Sequence, residues 1–440
     1  MKVLKFGGTS VGSAQRIKDV AKLICDGAPK IVVFSAMSGT TNSLVEISDY
    51  LYKKNPEGAK EAIHKLLAKY LDVIENLYST DEFKQKAKDA VISIFDLIRL
   101  QIKDLFTMIE EKIILAQGEM LSNEMINLYL LENGVKSVLL PALDYMRKDK
   151  NGEPDFHFIK EKLSALLQAN EGAELYLTQG YICMNAYNEI DNLERGGSDY
   201  TASLVGAAVR AEEIQIWTDI DGMHNNDPRI VEKTTPVRHL HFDEAAELAY
   251  FGAKILHPTC ILPAKLYHIP VRLLNTMQPN APGTTISSKT EKGTIKAVAA
   301  KDNITAIKIK SGRMLLATGF LRKVFEIFEK YKTPIDMVTT SEVGISVTID
   351  NNRNLDDIVT NLKKIGSVTV DRDMTIVCVA GDFEWENIGF EAKIIVALDD
   401  IPVRMISYGG SNYNVSLLIK TADKIKALRE LSEHLFNNQA

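Results

Sequence analysis

The chain has 440 residues, 52 Lys and Arg against 58 Asp and Glu, 45% hydrophobic residues and a net charge of −6. These are the proportions of a globular protein with roughly two to four domains. The mild acidity excludes a chain whose main work is coating nucleic acid or an anionic membrane. No apolar run reaches the ~20 residues that span a bilayer.

The N-terminus, MKVLKFGGTS, reads as a strand entering a Gly-rich turn, without the apolar segment and cleavage site of a signal peptide. From residue 1 to about 285, β-branched runs alternate with helical stretches, the pattern of an α/β fold with a mainly parallel sheet. Strands are predicted at 3–6, 31–34, 137–140, 175–178 and 214–218; most are continuously apolar, as strands covered on both faces are. Residues 43–115 read as almost wholly helical, an insertion serving as scaffold against the sheet. Residues 286–303 are polar and are expected to link this domain to the C-terminal third of the chain.

Beyond the linker an internal repeat begins. Residues 304–310 (ITAIKIK) match 374–380 (MTIVCVA), and Gly319-Phe320 recurs as Gly389-Phe390. Pro334 and its apolar sequel recur at Pro402, and Ile345-Ser346-Val347 recurs as Val415-Ser416-Leu417. Each copy, 304–373 and 374–440, reads strand–helix–strand–strand–helix with room for a last strand, near the ferredoxin-like βαββαβ pattern. Cys25, Cys183, Cys260 and Cys378 lie far apart with no CxxC pair. Neither a disulfide framework nor a zinc knuckle is expected, and a reducing, cytoplasmic setting is implied.

Four motifs carry chemistry. KFGGTSVGS (5–13) ends a strand at Phe6, lets the Gly7-Gly8 backbone approach a ligand closely, and starts a helix near Ser13. Such a turn presents N–H groups to phosphate, although a strand–Gly–Gly turn alone is about as often plain structure. It is neither a Walker A loop nor GxGxxG, because its cation, Lys5, precedes the glycines. ERGGSDYTA (194–202) sets Arg195 beside a second Gly-Gly turn, with Ser198 as a natural N-cap and Asp199 in the first helical turn. A guanidinium there suits a ligand carboxylate or phosphate, and Asp199 suits orienting a lysine or a metal-bound water.

WTDIDG (217–222), with Asp227-Pro228-Arg229 behind it, ends a strand in Thr218-Asp219. Open α/β sheets bind ligands at such ends, though a single motif of this kind is more often only a turn. FGAKILHP (251–258) offers Lys254, by itself an ordinary solvated lysine. Ser35, Thr41 and Glu119 fit the same site. The eight histidines show no metal-ligand spacing, and no residue is assigned to a protein-built metal site. No HExxH, GxSxG or Cys/His pairing supports hydrolysis.

In this order the four motifs resemble the aspartate kinases of the amino acid kinase family. The resemblance covers essentially the whole chain, because that family carries two C-terminal ACT domains where the repeat lies. It implies an amino acid kinase-type parallel-sheet α/β/α sandwich over 1–285, then two ferredoxin-like ACT domains. It also implies a monofunctional enzyme, without a fused homoserine dehydrogenase. The implied reaction moves the γ-phosphoryl group of ATP, with Mg2+, onto the β-carboxylate of L-aspartate. The product is 4-phospho-L-aspartate, on the way to lysine, threonine and methionine. An acceptor carboxylate of pKa ~3.9 is already ionised at neutral pH, so a site rich in Gly, Lys and Arg needs no general base.

By this resemblance Lys5 neutralises the transferring phosphoryl group, Gly7 and Gly8 cradle it, and Asp199 holds Lys5. Arg195 clamps the aspartate α-carboxylate, Glu119 takes the α-ammonium, and Ser35, Thr41 and Ser198 complete the substrate pocket. Thr218, Asp219, His224, Arg229 and Lys254 line the nucleotide site; Mg2+ is held mainly by phosphates and water. His224 stands where the family often has Tyr, and Glu194 where a glycine is usual. The ACT pair implies an amino-acid effector, lysine ahead of threonine or a concerted pair. It would bind near Met314, Ala317, Phe320, Leu321, Ile335, Asp336, Ser341 and Glu342, at the interface of a homodimer or a dimer of dimers. Asp336 or Glu342 would pair with the effector ammonium, while Ala317 and Pro334 stand where some relatives have serine. Two other readings compete: a kinase for glutamate or N-acetylglutamate, and a non-catalytic amino-acid-binding regulator.

Overall fold

The computed structural model describes all residues except Asp104, Arg195, 254–255, 313–317 and 438–440. The strands in chain order are β1 (Lys2–Phe6), β2 (Lys30–Phe34), β3 (Ser137–Leu139), β4 (Leu175–Gln179), β5 (Ile182–Met184) and β6 (Ile190–Asn192). Next come β7 (Ile214–Thr218), β8 (His239–His241), β9 (Val271–Asn275), β10 (Thr284–Ser287) and β11 (Ile295–Lys310). The last are β12 (Val338–Ser341), β13 (Gly344–Ile349), β14 (Ser367–Gly381), β15 (Met405–Ser407) and β16 (Asn414–Lys420). The chain divides into two compact units, Met1–Met223 with Ile255–Ser288, and His224–Lys254 with Lys289–Ala440.

In the first unit the strands lie in the order β3-β4-β2-β1-β7-β9-β10, parallel except for β10 against β9. All five predicted strands are present. β2, KIVVF, is buried along its whole length, which its apolar run requires of a strand covered on both faces. β1 is in register with both neighbours, Phe6 lying opposite Phe34 and Trp217. The three rings stack, with centroids 5.8 Å and 5.7 Å from Phe6. This aromatic row closes the ladders of β1 with its two neighbours at one level, so Gly7, Ser35 and Thr218, the next residues, stand side by side at the sheet's edge.

The helical segment is longer than the 43–115 expected from sequence. Helices Thr40–Tyr52, Pro56–Leu77, Asp81–Arg99 and Met108–Glu132 succeed one another. Their ends are set by local chemistry: Asn55 caps a helix that has Pro in its first turn, Thr80 caps the next, and Thr107 with Glu110 forms a capping box. Ile63, Leu66, Tyr70, Phe95, Leu121 and Met125 join one buried core with Phe6, Phe34 and Trp217. Each such side chain contributes roughly 1.5–3 kcal/mol by leaving water.

In the second unit one six-stranded antiparallel sheet has the order β12-β13-β11-β14-β16-β15. The repeat is real, but its partition differs from the sequence reading. Residues 304–310, helix Phe320–Lys330, β12, β13, helix Leu355–Leu362 and the start of β14 complete one βαββαβ unit. Its core holds Ile307, Phe320, Val324, Val347 and Ile358. In the second copy the missing strand is supplied from upstream. Ile295 to Lys301, expected within the linker, pairs with 376–381, and Val298 packs with Val377, Val379 and Leu417. The ladder shifts register around Lys301/Ile304, where Asn303 and Asp373 adopt positive φ. Two modules thus share two long strands.

Candidate active site

The first unit gathers most of the expected residues at the ends of β1 and β2. The Gly7 N–H donates to the Trp217 carbonyl (3.3 Å) and the Ser38 N–H to the Gly8 carbonyl (3.0 Å). A Cβ on Gly8 would stand 2.6 Å from the Ala36 oxygen, so the two strand-exit loops meet only because position 8 has no side chain. Lys5 reaches from the end of β1 to Asp199, Nζ to Oδ1 2.7 Å, and both side chains are largely buried (11% and 17% exposed). Removing either would leave an uncompensated charge at low dielectric.

Asp199 lies in the first turn of helix Gly197–Val209, and its N–H donates to the Gly196 carbonyl (2.9 Å). The N-cap is Gly196, φ 78°, not Ser198 as the residue types predict. The Gly196 position lies so close to Cys260 Sγ and His257 that a Cβ would collide with both. With the cap moved back, Ser198 becomes the second helical residue and packs on Gly180, where a Cβ would sit 2.4 Å from its hydroxyl. Glu194, which leads into this turn, holds φ 57°, the left-handed region that glycine occupies without strain.

Beside this pair opens a cleft of about 470 Å3, bounded by Gly8, Ser35, Thr41, Glu119 and Ser198. Glu119 is almost wholly buried on helix Met108–Glu132, and Oε1 accepts from the Ala36 N–H (3.3 Å). Burial pushes its carboxyl up to about 8, against the Ala36 hydrogen bond, which acts the other way. The Ser35 carbonyl accepts from the Ser122 hydroxyl (2.9 Å), which fixes the floor of the cleft. Sequence reasoning missed Thr9, Ser38, Asn42 and Tyr181, which line the same cleft. Tyr181 carries its own signal only in three dimensions. Its φ is 66° and its ring lies against Gly197, where a Cβ would come within 2.8 Å.

The residues assigned to the nucleotide divide between the units. Thr218 ends β7 in the first unit; its hydroxyl accepts from the Ile220 N–H (3.2 Å), and Asp219 is exposed. His224 and Arg229 belong to the second unit. His224 Nδ1 meets the Thr234 hydroxyl (2.8 Å), and the Arg229 guanidinium forks its own Asp227 at 2.9 and 2.6 Å. That fork holds the Asp227 carboxyl below the usual carboxylate range. Arg195 and Lys254 lie outside the described residues, as do Met314 and Ala317.

Of the effector residues, Phe320 belongs to the module core, Leu321 is exposed and Ile335 is half-buried. Asp336 already has a cation: Lys301 Nζ lies 2.8 Å from Oδ1, and the Tyr250 hydroxyl donates to the same oxygen (2.8 Å). Lys301 also pairs with Asp350 (2.9 Å). Ser341 ends β12 and Glu342 follows it in the turn to β13, both exposed. No described helix is long and apolar enough to cross a membrane.

Comparison with known proteins agrees with this arrangement. The amino acid kinase family model matches residues 1–275, and an ACT domain model matches 377–435. The chain is 33% identical to Aspartokinase 1, chloroplastic, of Arabidopsis thaliana, over 99% of this chain and 80% of that protein. It is 31% identical to Lysine-sensitive aspartokinase 3 of Escherichia coli, over 99% of both. Among solved structures it resembles E. coli aspartokinase III in complex with aspartate and ADP (R-state), TM-score 0.87 at 29% identity, over 99% of this chain and 100% of that one. The complex of the same enzyme with lysine and aspartate (T-state) gives a TM-score of 0.77 at 30% identity, over 99% of each chain. With its Lys5–Asp199 pair set on a glycine cradle and its paired ACT modules, the chain belongs to the amino acid kinase family, among the aspartokinases.

Proposed function

We propose that this chain transfers the γ-phosphoryl group of ATP to the β-carboxylate of L-aspartate, giving 4-phospho-L-aspartate. The observation that carries the reading is the Lys5–Asp199 pair, fixed at 2.7 Å beside a backbone cradle and an acid-lined cleft. The acceptor is ionised before it binds, so the barrier is the approach of two anions and the spread of charge over the transferring oxygens. Lys5, held by Asp199, answers that charge without reorganising during the reaction. Gly7 and Gly8 put a turn without side chains beside the Lys5 ammonium, where a Gly7 Cβ would stand 3.6 Å from Nζ, and this supports a phosphate site there.

Glu119 accepts the substrate ammonium, which stabilises a carboxylate that burial otherwise keeps protonated. Arg195 clamps the α-carboxylate, and Ser35, Thr41 and Ser198 complete the pocket. Thr218 and Asp219 border the nucleotide. The roles of His224, Arg229 and Lys254 toward it rest on the resemblance alone. Mg2+, held by phosphate oxygens and water, supplies further charge neutralisation when bound.

The ACT modules make the enzyme an amino-acid-responsive one, with lysine as the inhibitor; the names of the E. coli relatives support this choice. The Lys301–Asp336 ion pair, just before β12, supports an ammonium-accepting position there. An effector competes for Asp336 or uses the exposed Glu342. Association of ACT modules gives a homodimer or a dimer of dimers, in the cytoplasm. An acceptor panel tests the reading: ADP release with L-aspartate, and not with L-glutamate or N-acetylglutamate, is expected. Faster turnover of either of those would reassign the acceptor.

A further inference from the structure

The helical segment reads from sequence as scaffold, yet one of its lysines holds a turn that borders the cleft. Lys69, on helix Pro56–Leu77, donates to the Ser38 carbonyl (2.5 Å) and lies 3.6 Å from where a Gly39 Cβ would be. Ser38, Gly39, Thr41 and Asn42 all border the cleft. The next residue, Tyr70, is fully buried, and its hydroxyl meets that of Thr40 (2.9 Å). On its other side Ser38 donates to the Gly8 carbonyl. The 38–41 turn is therefore clamped between the phosphate cradle and the inserted helices. Gly39, at φ 81°, caps helix Thr40–Tyr52 with no side-chain acceptor; the Thr40 N–H donates to the Met37 carbonyl (2.9 Å), and Thr41 and Asn42 in the same first turn border the cleft. Lys69 is half-buried, and among the described residues no carboxylate lies within ion-pair distance of it. Its ammonium therefore stands behind the turn that forms the cleft wall, bound to the Ser38 carbonyl, although burial lowers its pKa.

We propose that Lys69 is a positioning residue for the acidic substrate: it holds the 38–41 turn so that Thr41 and the start of helix Thr40–Tyr52 meet a substrate carboxylate. The inserted helices are then part of the substrate site. This rests on the aspartate kinase reading and deepens it. A structural strut and a substrate-positioning cation differ in which kinetic constant they move.

The test compares the wild type with Lys69→Met, which keeps the length and apolar stem, and Lys69→Arg, which keeps the charge. Lys69→Met should raise the aspartate KM by about tenfold or more, the scale of one charge-assisted hydrogen bond, with the ATP KM within about twofold of wild type. Lys69→Arg should restore most of the aspartate affinity, and both variants should melt near the wild type. An unchanged aspartate KM in folded Lys69→Met would overturn the proposal. So would equal rises in both KM values that arginine does not rescue. If the wild type itself fails to turn over aspartate, the substrate reading falls and this assignment with it; an active wild type with an unaffected Lys69→Met removes this assignment alone.

Discussion

Glu119 shows how one buried side chain ties the substrate to the proton. Its folded-state pKa, about 8, lies above the ordinary 4.5 of a glutamate because burial disfavours the carboxylate. The stability this raised value confers is complete below pH about 4.5 and is lost as pH rises to about 8. Glu119→Gln should therefore gain stability relative to the wild type across that window, by on the order of a few kcal/mol at its alkaline end. Urea midpoints at pH 5 and pH 8 check this, and equal differences at both would contradict it. Aspartate binding near pH 7 should release a proton, seen as a binding enthalpy that depends on the buffer. Lys5→Ala should lose about 10³-fold or more in kcat while staying folded, the scale of removing a preorganised charge from a transition state. Retained turnover would remove Lys5 from its role.

Glu194 is a residue whose backbone matters more than its charge. At φ 57° a glycine avoids a Cβ clash, so Glu194→Gly should be neutral or stabilising within about 1 kcal/mol. A β-branched Glu194→Val should destabilise by ~1–2 kcal/mol, and thermal melts decide between these signs. Lys5, Gly8 and Asp199 are legible in the sequence because their chemistry is written in contiguous motifs. Tyr181 is not: nothing in its neighbours marks a positive φ, and it enters the cleft only through packing against Gly197. The N-cap departs from expectation for a related reason. Residue preference favours Ser198, but the close approach of Cys260 and His257 to position 196 sets the turn.

Among the elements, the parallel strands are readable from their apolar runs, and flush stacking of Phe6, Phe34 and Trp217 turns them into a site platform. The first half of β11 is not readable. Its run, Lys296-Ala297-Val298-Ala299-Ala300-Lys301, is rich in alanine and bounded by lysines, so local propensity gives no strand signal. Pairing with 376–381, far along the chain, decides it, and Lys296 is buried against Glu291. Val298 is 4% exposed within the second module's core. Val298→Asp in the full chain should therefore cost about 3–5 kcal/mol, although the residue falls in a stretch that reads as a linker. Denaturation followed in the second unit measures it, and a loss below about 1 kcal/mol would return 295–301 to linker status. The helical segment exceeds its expected extent because its last helix continues past the insertion to bring Glu119 to the cleft.

For the chain as a whole, the order of motifs is the most informative feature. It points to both the kinase fold and the paired ACT modules, whereas the sharing of β11 and β14 between modules is visible only in the register. The proposed function joins catalysis and regulation in one chain: an acidic substrate phosphorylated in the first unit, and an amino acid sensed by the ACT modules of the second. The decisive experiment is an ATP- and Mg2+-dependent reaction of the full chain with L-aspartate, its acyl phosphate trapped by hydroxylamine, with and without lysine or threonine. Aspartyl hydroxamate that forms and is suppressed by lysine is the expected outcome; no hydroxamate from aspartate would overturn the kinase assignment.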